Sequence, residues 1–292
     1  MLKVLKIIVP PGLGDFSWLY SKLVGLNIKL EVTISAGGFP RLVPLCDILP
    51  NVSTSGNSLG MSFPQLRAKA VPSTIGVAQL LKLGENGPVH LEINTQLEHG
   101  LYARDWMPEL PMNYHYPMAI PQVDIQRATA LVPKMPFVAV FAAALSTAQT
   151  WKGWMPEDWC RFFQLFMGEF GPMNFVIVGA AWDVPMADGI EKLCNAANVP
   201  VTNLVNKTNV GEVVHVISLS TYFVSFPSGL GVLANVVDTP ATMFYPVNLQ
   251  QMIGKWADPE TIADLSFYES VFLSPQAYVE WLRDGYHMRD HL

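Results

Sequence analysis

The chain is 292 residues long, half of them hydrophobic and only 14% charged, which fits two medium domains with a sizeable core in each. It carries 18 Lys and Arg against 24 Asp and Glu, a formal net charge of −6 with no basic cluster; this argues against tight non-specific nucleic-acid binding and leaves DNA open as a substrate. Mean hydropathy is +0.27, yet no apolar run reaches the roughly 18–20 residues that span a bilayer, so no stable membrane insertion is expected.

Three scattered cysteines (Cys46, Cys160, Cys194) form no metal pattern and read as buried thiols in a reducing cytosol. Lys3 to Val9 is nearly continuous and β-branched, the pattern of a buried parallel strand rather than of a signal peptide. Pro10-Pro11-Gly12-Leu13-Gly14-Asp15 breaks it, and Phe16 to Leu23 has helical spacing. Asp15 falls at or near the N-cap of that helix, where a carboxylate satisfies orphan amides. The same place is the C-terminal edge of the first strand, where open α/β sheets put their ligand crevice. Lys29 to Ile34 reads as a second strand, Phe39 to Leu49 as partly helical, and Val52 as the start of another short strand. Residues 53–88 read as irregular apart from a helix around Ile75 to Leu83. Val89 to Ile93 alternates like a strand and leads into Asn94-Thr95-Gln96-Leu97-Glu98-His99-Gly100. Arg104-Asp105-Trp106 and Asn113-Tyr114-His115-Tyr116 continue this polar stretch, read as an irregular region near a cleft, with an ordinary solvated surface as the plainer alternative.

Gln122 to Pro136, punctuated by Pro133, reads as a domain junction. Phe137 to Phe141 restarts the strand rhythm, and Pro156-Glu157-Asp158 opens a helix running to Phe170, with proline and acids in its first turn. Asn174 to Val178 and Pro200 to Leu204 follow as strands, with Asp188 to Ala197 and Val210 to Leu219 as helices. Tyr222 to Ser225 is a strand that turns through Pro227-Ser228-Gly229 into a small-residue helix from Leu230 to Val237. Thr239 to Pro246 supplies one more strand and Pro275 to Arg283 a final amphipathic helix. Strand–helix alternation on both sides of the junction argues for two α/β domains with parallel sheets, here 1–132 and 133–274, with 275–292 a terminal helix packing back on the first.

Three features carry chemistry. The strand–turn–helix junction at Ser228-Gly229 leaves unpaired N–H groups at the positive end of a helix, which suits a phosphate, with Ser228 adding a hydroxyl donor. The plainer reading is a tight βα turn that needs a glycine. Lys152 can place a cation on a leaving phosphate, or is a solvated lysine before a helix. Asp15 can serve an acceptor hydroxyl as general base. Most of the Trp and Met content reads as core, while aromatics near polar loops can stack on a sugar or a base. No Walker loop, Gly-x-Gly-x-x-Gly fingerprint, zinc ligand set or Gly-x-Ser-x-Gly elbow occurs.

Taken in order, several segments resemble the bacterial lipopolysaccharide (ADP-heptose) heptosyltransferase family, GT-B glycosyltransferases that use nucleotide-sugar donors. Thr150-Trp151-Lys152-Gly153-Trp154-Met155-Pro156 is similar to the family's Lys-then-Trp-Pro segment, and Phe175 to Gly179 to its next strand. Asn203 to Thr208 resembles its Leu-x-Gly-Lys-Thr helix entry, Ser228-Gly229 its Asp-Ser-Gly turn, and Gly12-Leu13-Gly14-Asp15 its first loop. The sequence departs at Pro227 and Val232, where the family has Asp and His, and at Asn206, where it has glycine. The resemblance implies a GT-B fold, two Rossmann-like domains with parallel sheets facing across a cleft. It implies an inverting transfer without metal or cofactor, with Asp15 as base and Glu98 as a second base or acceptor-orienting group. The donor diphosphate and nucleotide would lie on Gly14, Lys152, Ser228, Gly229 and Leu230, and the acceptor on Asn94, Glu98 and Trp106. Glu92 is structural or a site residue. Glu92 to Trp106 resembles phage-borne relatives of the family, so the acceptor is a glycan or a modified DNA base and the location cytoplasmic, host cytoplasm in the phage case. Two further readings stay open: an inert nucleotide-sugar-binding protein of the same fold, and a nucleotide-sugar epimerase.

Overall fold

The computed structural model describes residues 3–35, 39–55, 59–72, 75–92, 107–151, 153–226, 228–243 and 274–285. The chain divides into two compact units, one within Met1–Pro121 and one within Gln122–Gln250 that also holds the C-terminal helix. In the first, β1 (Val4–Val9) leads to α1 (Leu13–Leu23), β2 (Lys29–Ile34), α2 (Phe39–Asp47), β3 (Val52–Thr54), α3 (Phe63–Lys69), α4 (Val77–Glu85) and β4 (Val89–His90). The strands form one parallel sheet in the order β3-β2-β1-β4. Continuous apolar sequence builds β1 because both faces of a parallel sheet are covered; Ile7, Ile8 and Val9 are all buried.

Helix α1 is buried from Phe16 to Leu23. Its outer side is covered by the segment after Met107, which the sequence reading placed near a cleft or in solvent. The Ser17 hydroxyl lies 2.6 Å from Tyr116 Oη, Lys22 Nζ donates to Leu110 O at 2.8 Å, and Asn113 N–H donates to Ser21 O at 2.9 Å. Tyr116 packs edge-on against Tyr20, ring centroids 4.8 Å apart. Burial pushes the Tyr20 phenol up to about 12 and that of Tyr116 further still. The segment's backbone and the Tyr116 hydroxyl thus satisfy buried polar groups of α1, lysine included, while its polar side chains Asn113 and His115 are exposed.

The second unit begins with α5 (Gln122–Leu131), where the sequence suggests a junction. It continues through β5 (Phe137–Phe141), α6 (Leu145–Trp151), α7 (Pro156–Phe170), β6 (Asn174–Ile177), α8 (Val184–Ala196), β7 (Val201–Asn203), α9 (Val210–Leu219), β8 (Tyr222–Ser225), α10 (Gly229–Val236) and β9 (Ala241–Met243). Its sheet is parallel, in the order β7-β6-β5-β8-β9. The core is aromatic: Phe163 stacks on Phe175 at 4.0 Å, and Trp159 meets Trp154 edge-on at 4.9 Å. The C-terminal helix α11 (Pro275–Gly285) packs on α7, with Tyr278 5.4 Å from Phe162 and 5.8 Å from Trp154. Where the sequence reading returned this helix to the first domain, its buried residues Tyr278, Val279 and Leu282 belong to the core of the second. All three cysteines are free and buried. Burial drives the Cys46 thiol up to about 12 and that of Cys194 higher, so both stay protonated and unreactive.

Each sheet has a topological switch point. From β1 the chain crosses to β2 on one side, and β4 joins on the other; from β5 it crosses to β6, and β8 joins on the other side. At such a point right-handed crossovers put the two flanking helices on opposite faces, and the strand ends open into a crevice.

Candidate functional site

At the first switch point Pro10, Pro11 and Gly12 carry the chain from β1 into α1. Gly12 is the N-cap and Asp15 the third helical residue, so the carboxylate sits one turn inside the cap position the sequence suggests. It folds back over Gly12: a Cβ built at residue 12 would collide with Asp15 Oδ2 and stand 3.1 Å from its Cγ. Gly14, half-buried, lies between them. On either side of Pro10, Ser35 N–H donates to Val9 O and Leu91 N–H to Ile8 O, both at 2.9 Å. Glu92 follows directly, 1% exposed, its carboxylate 3.8 Å from Nε of Arg67 on α3. The C-terminal edge of this sheet thus carries two carboxylates, Asp15 after β1 and Glu92 after β4.

At the second switch point β8 ends at Ser225, and Ser228 caps α10, its Oγ accepting from Gly231 N–H at 3.3 Å. Capping uses an oxygen lone pair and leaves the Ser228 O–H able to donate. It also removes the Gly231 amide from any cradle. Among the first helical amides, those of Gly229 and Leu230 have no intrahelical acceptor. The Leu230 side chain is buried, so only its backbone can face a ligand.

The next loop is held as firmly. Asp183, 4% exposed, closes the turn after β6: its Oδ2 accepts from Ala180 N–H at 2.8 Å and would lie 2.9 Å from any Cβ on Gly179. Asn206, in the left-handed region at φ 59, donates its N–H to Gly179 O at 3.0 Å and ties the β7 turn to that of β6. Lys207 Nζ folds onto Asn203 O at 2.7 Å. Of the residues singled out in the sequence, Asn94, Glu98, Trp106, Lys152 and Pro227 lie outside the described residues. Trp154, beside Lys152 in sequence, is core at 5% exposure and closed to a ligand. Sequence reasoning passed over Gly12, whose lack of a side chain makes room for Asp15, and Arg67, which has no motif around it.

Among the described residues no group of three or more His, Cys, Asp or Glu could hold a metal ion, and no helix is long and apolar enough to cross a membrane. No curated protein matches the sequence. By structure the chain is similar to Escherichia coli ADP-heptose lipopolysaccharide heptosyltransferase II, with a TM-score of 0.61 at 15% identity over 97% of this chain and 98% of that one. A glycosyl transferase family 9 protein from Veillonella parvula DSM 2008 gives 0.58 at 13% identity over 97% of both chains. E. coli heptosyltransferase WaaC with ADP-2-deoxy-2-fluoro heptose gives 0.55 at 14% identity over 96% of this chain and 100% of that one. At such identities the likeness establishes the fold, the GT-B pairing of two parallel-sheet α/β domains. The profile of glycosyltransferase family 9 (heptosyltransferase) matches residues 98–275, more than half of the sequence, and the chain belongs to that family.

Proposed function

We propose that this glycosyltransferase moves a sugar from a nucleoside-diphosphate sugar to an acceptor hydroxyl with inversion at the anomeric carbon. Asp15 takes the acceptor proton as the hydroxyl oxygen attacks the anomeric carbon from the face opposite the leaving group. The bond from that carbon to the diphosphate oxygen breaks, and the nucleoside diphosphate departs with the electron pair. The negative charge growing on it is met by the Gly229 and Leu230 amides, the Ser228 hydroxyl and Lys152, with no metal ion required. General-base assistance is worth ~10²–10⁴-fold, and one preorganised donor to the developing charge ~10²–10³-fold. In this reading Gly14 lines the donor side of the Asp15 loop, while Asn94, Glu98 and Trp106 hold the acceptor.

What supports the reading is that each unit carries one part of the chemistry at its own switch point: a carboxylate kept at the start of α1 by a glycine in the first, and a serine-capped helix start after β8 in the second. The acceptor hydroxyl belongs to a glycan or to a modified nucleobase, and the assay carries both. Nucleotide release from a panel of nucleotide sugars is followed with and without acceptor, and the product anomer is read by NMR. Acceptor-dependent release with inversion is the expected result. Asp15→Asn should remove it while leaving donor affinity within a few-fold. Binding without release would leave an inert sugar-nucleotide binder, and isomerisation without transfer an epimerase; either result ends the proposal.

A further inference from the structure

Asp15 rides on α1, so whatever fixes that helix fixes the carboxylate. Phe16, Leu19 and Leu23 are buried, but apolar contact is non-directional and resists removal of a helix more than its sliding or rotation. Direction comes from polar partners. Ser17, two residues after Asp15 and itself buried, has its hydroxyl 2.6 Å from Tyr116 Oη. One turn further on, Asn113 N–H donates to Ser21 O at 2.9 Å and Lys22 Nζ to Leu110 O at 2.8 Å. All three contacts come from one strap, residues 107–116. It opens on Met107, buried and left-handed at φ 48, a conformation that costs a long side chain free energy and persists only where the surroundings enforce it.

A buried pair of hydroxyls adds little net stability, because both groups give up water to make it. It does specify position: a slide or turn of α1 would leave both hydroxyls buried and unpaired. We propose that Tyr116 is a positioning residue for Asp15: its hydroxyl pins Ser17 and so sets the rotation and height of α1 at which the carboxylate stands over Gly12. The inference rests on Asp15 as the base proposed above and adds what holds it in place. The tolerance there is small. A single Cβ on Gly12 would overlap Asp15 Oδ2, and a displacement of about 1 Å in a reacting group can cost ~10²-fold in rate. Burial holds the Tyr116 phenol well above its ordinary value, so the pin keeps its proton across the pH range of an assay.

The test compares Tyr116→Phe with the double variant Ser17→Ala/Tyr116→Phe in acceptor-dependent nucleotide release. Donor and acceptor are saturating, and the temperature lies far below every melting transition. Tyr116→Phe strands the Ser17 hydroxyl and should lower the melting temperature; it should also lower kcat about 10-fold or more, with the donor KM within a few-fold of wild type. Removing both hydroxyls strands nothing, so the double variant should regain most of the melting temperature. It should nevertheless stay as slow as the single variant, with a pH–rate profile of unchanged shape. A contact that served stability alone cannot give this split, since its loss slows catalysis only through the unfolded fraction. Full kcat in Tyr116→Phe, or recovery of kcat together with the melting temperature in the double variant, overturns the pin and leaves Asp15 as base. Asp15→Asn, run alongside, separates the two readings: wild-type turnover in that variant overturns the base and the pin with it.

Discussion

Asp15 occupies the space that a side chain at residue 12 would need, and this contact makes a prediction that separates folding from turnover. Gly12 sits at φ −73 and ψ 130, a conformation open to any residue, so alanine there carries no backbone strain. Restricting the unfolded chain should even stabilise by ~0.4–1 kcal/mol where the native conformation fits. The obstacle is the Asp15 carboxylate, the movable end of a side chain, which must swing away from an added Cβ. A displacement of about 1 Å in a reacting group can cost ~10²-fold in rate. Gly12→Ala should therefore hold or slightly raise the melting temperature and lower acceptor-dependent nucleotide release on that order. Unchanged turnover would show that the carboxylate works from another position. The place of Asp15 at the end of the first buried strand was legible in the sequence, with helix capping as its plainer role. Its pose was not, since capping and folding back from the third helical position look alike in one dimension.

At the scale of the element, the start of α10 carries two functions that substitution can pull apart. Ser228 caps the helix through its oxygen, accepting from Gly231 N–H, and keeps its O–H able to donate. Alanine removes both roles, at a cost of ~1 kcal/mol for the cap. Glycine loses only a few tenths on the cap and still lacks the hydroxyl. Aspartate caps as well as serine does but sets a negative charge where a diphosphate should lie. The predicted order of melting temperatures is thus wild type and Ser228→Asp together, Ser228→Gly just below and Ser228→Ala lowest. The order of donor affinity puts Ser228→Asp last, more than ~10-fold below wild type. Should Ser228→Asp bind donor as tightly as wild type, no phosphate rests on this helix. The elements the sequence made legible share one property, burial. Strands such as Phe137–Phe141 and Tyr222–Ser225 are apolar on both faces, and α9 opens on a reciprocal Asn209–Glu212 capping box. Helix α5 buries only Ala128, so no apolar stripe marks it, and the prolines around it suggest a junction. Helix α3 is short but is signalled by Ser62 and Gln65, whose side-chain oxygen accepts from Ser62 N–H at 2.8 Å.

Across the whole molecule the pattern of charge and burial sets how the fold responds to acid. Each unit holds a half-buried histidine whose imidazole is held below its ordinary value by desolvation. In the first it is His90 of β4, whose Nδ1 is buried without a hydrogen-bond partner among the described residues, and Lys69 adds its repulsion. In the second it is His215 of α9. Its ring lies between two hydroxyls, Thr129 Oγ1 of α5 at 3.2 Å from Nε2 and Ser218 Oγ at 3.3 Å from Nδ1, and the Thr129 contact stitches α9 to α5. Both histidines therefore have folded values below the unfolded value of ~6.5. As pH falls through that value the unfolded chain binds protons that the folded chain refuses, and stability must drop. The stabilisation is fully present above about pH 7 and is lost as the pH falls through the unfolded value toward the folded ones. The melting temperature should fall from pH 7.5 to 5.5, and His90→Gln and His215→Gln should each flatten part of the slope, the double variant most. A melting temperature that holds level or rises over this interval would contradict the lowered values of both histidines.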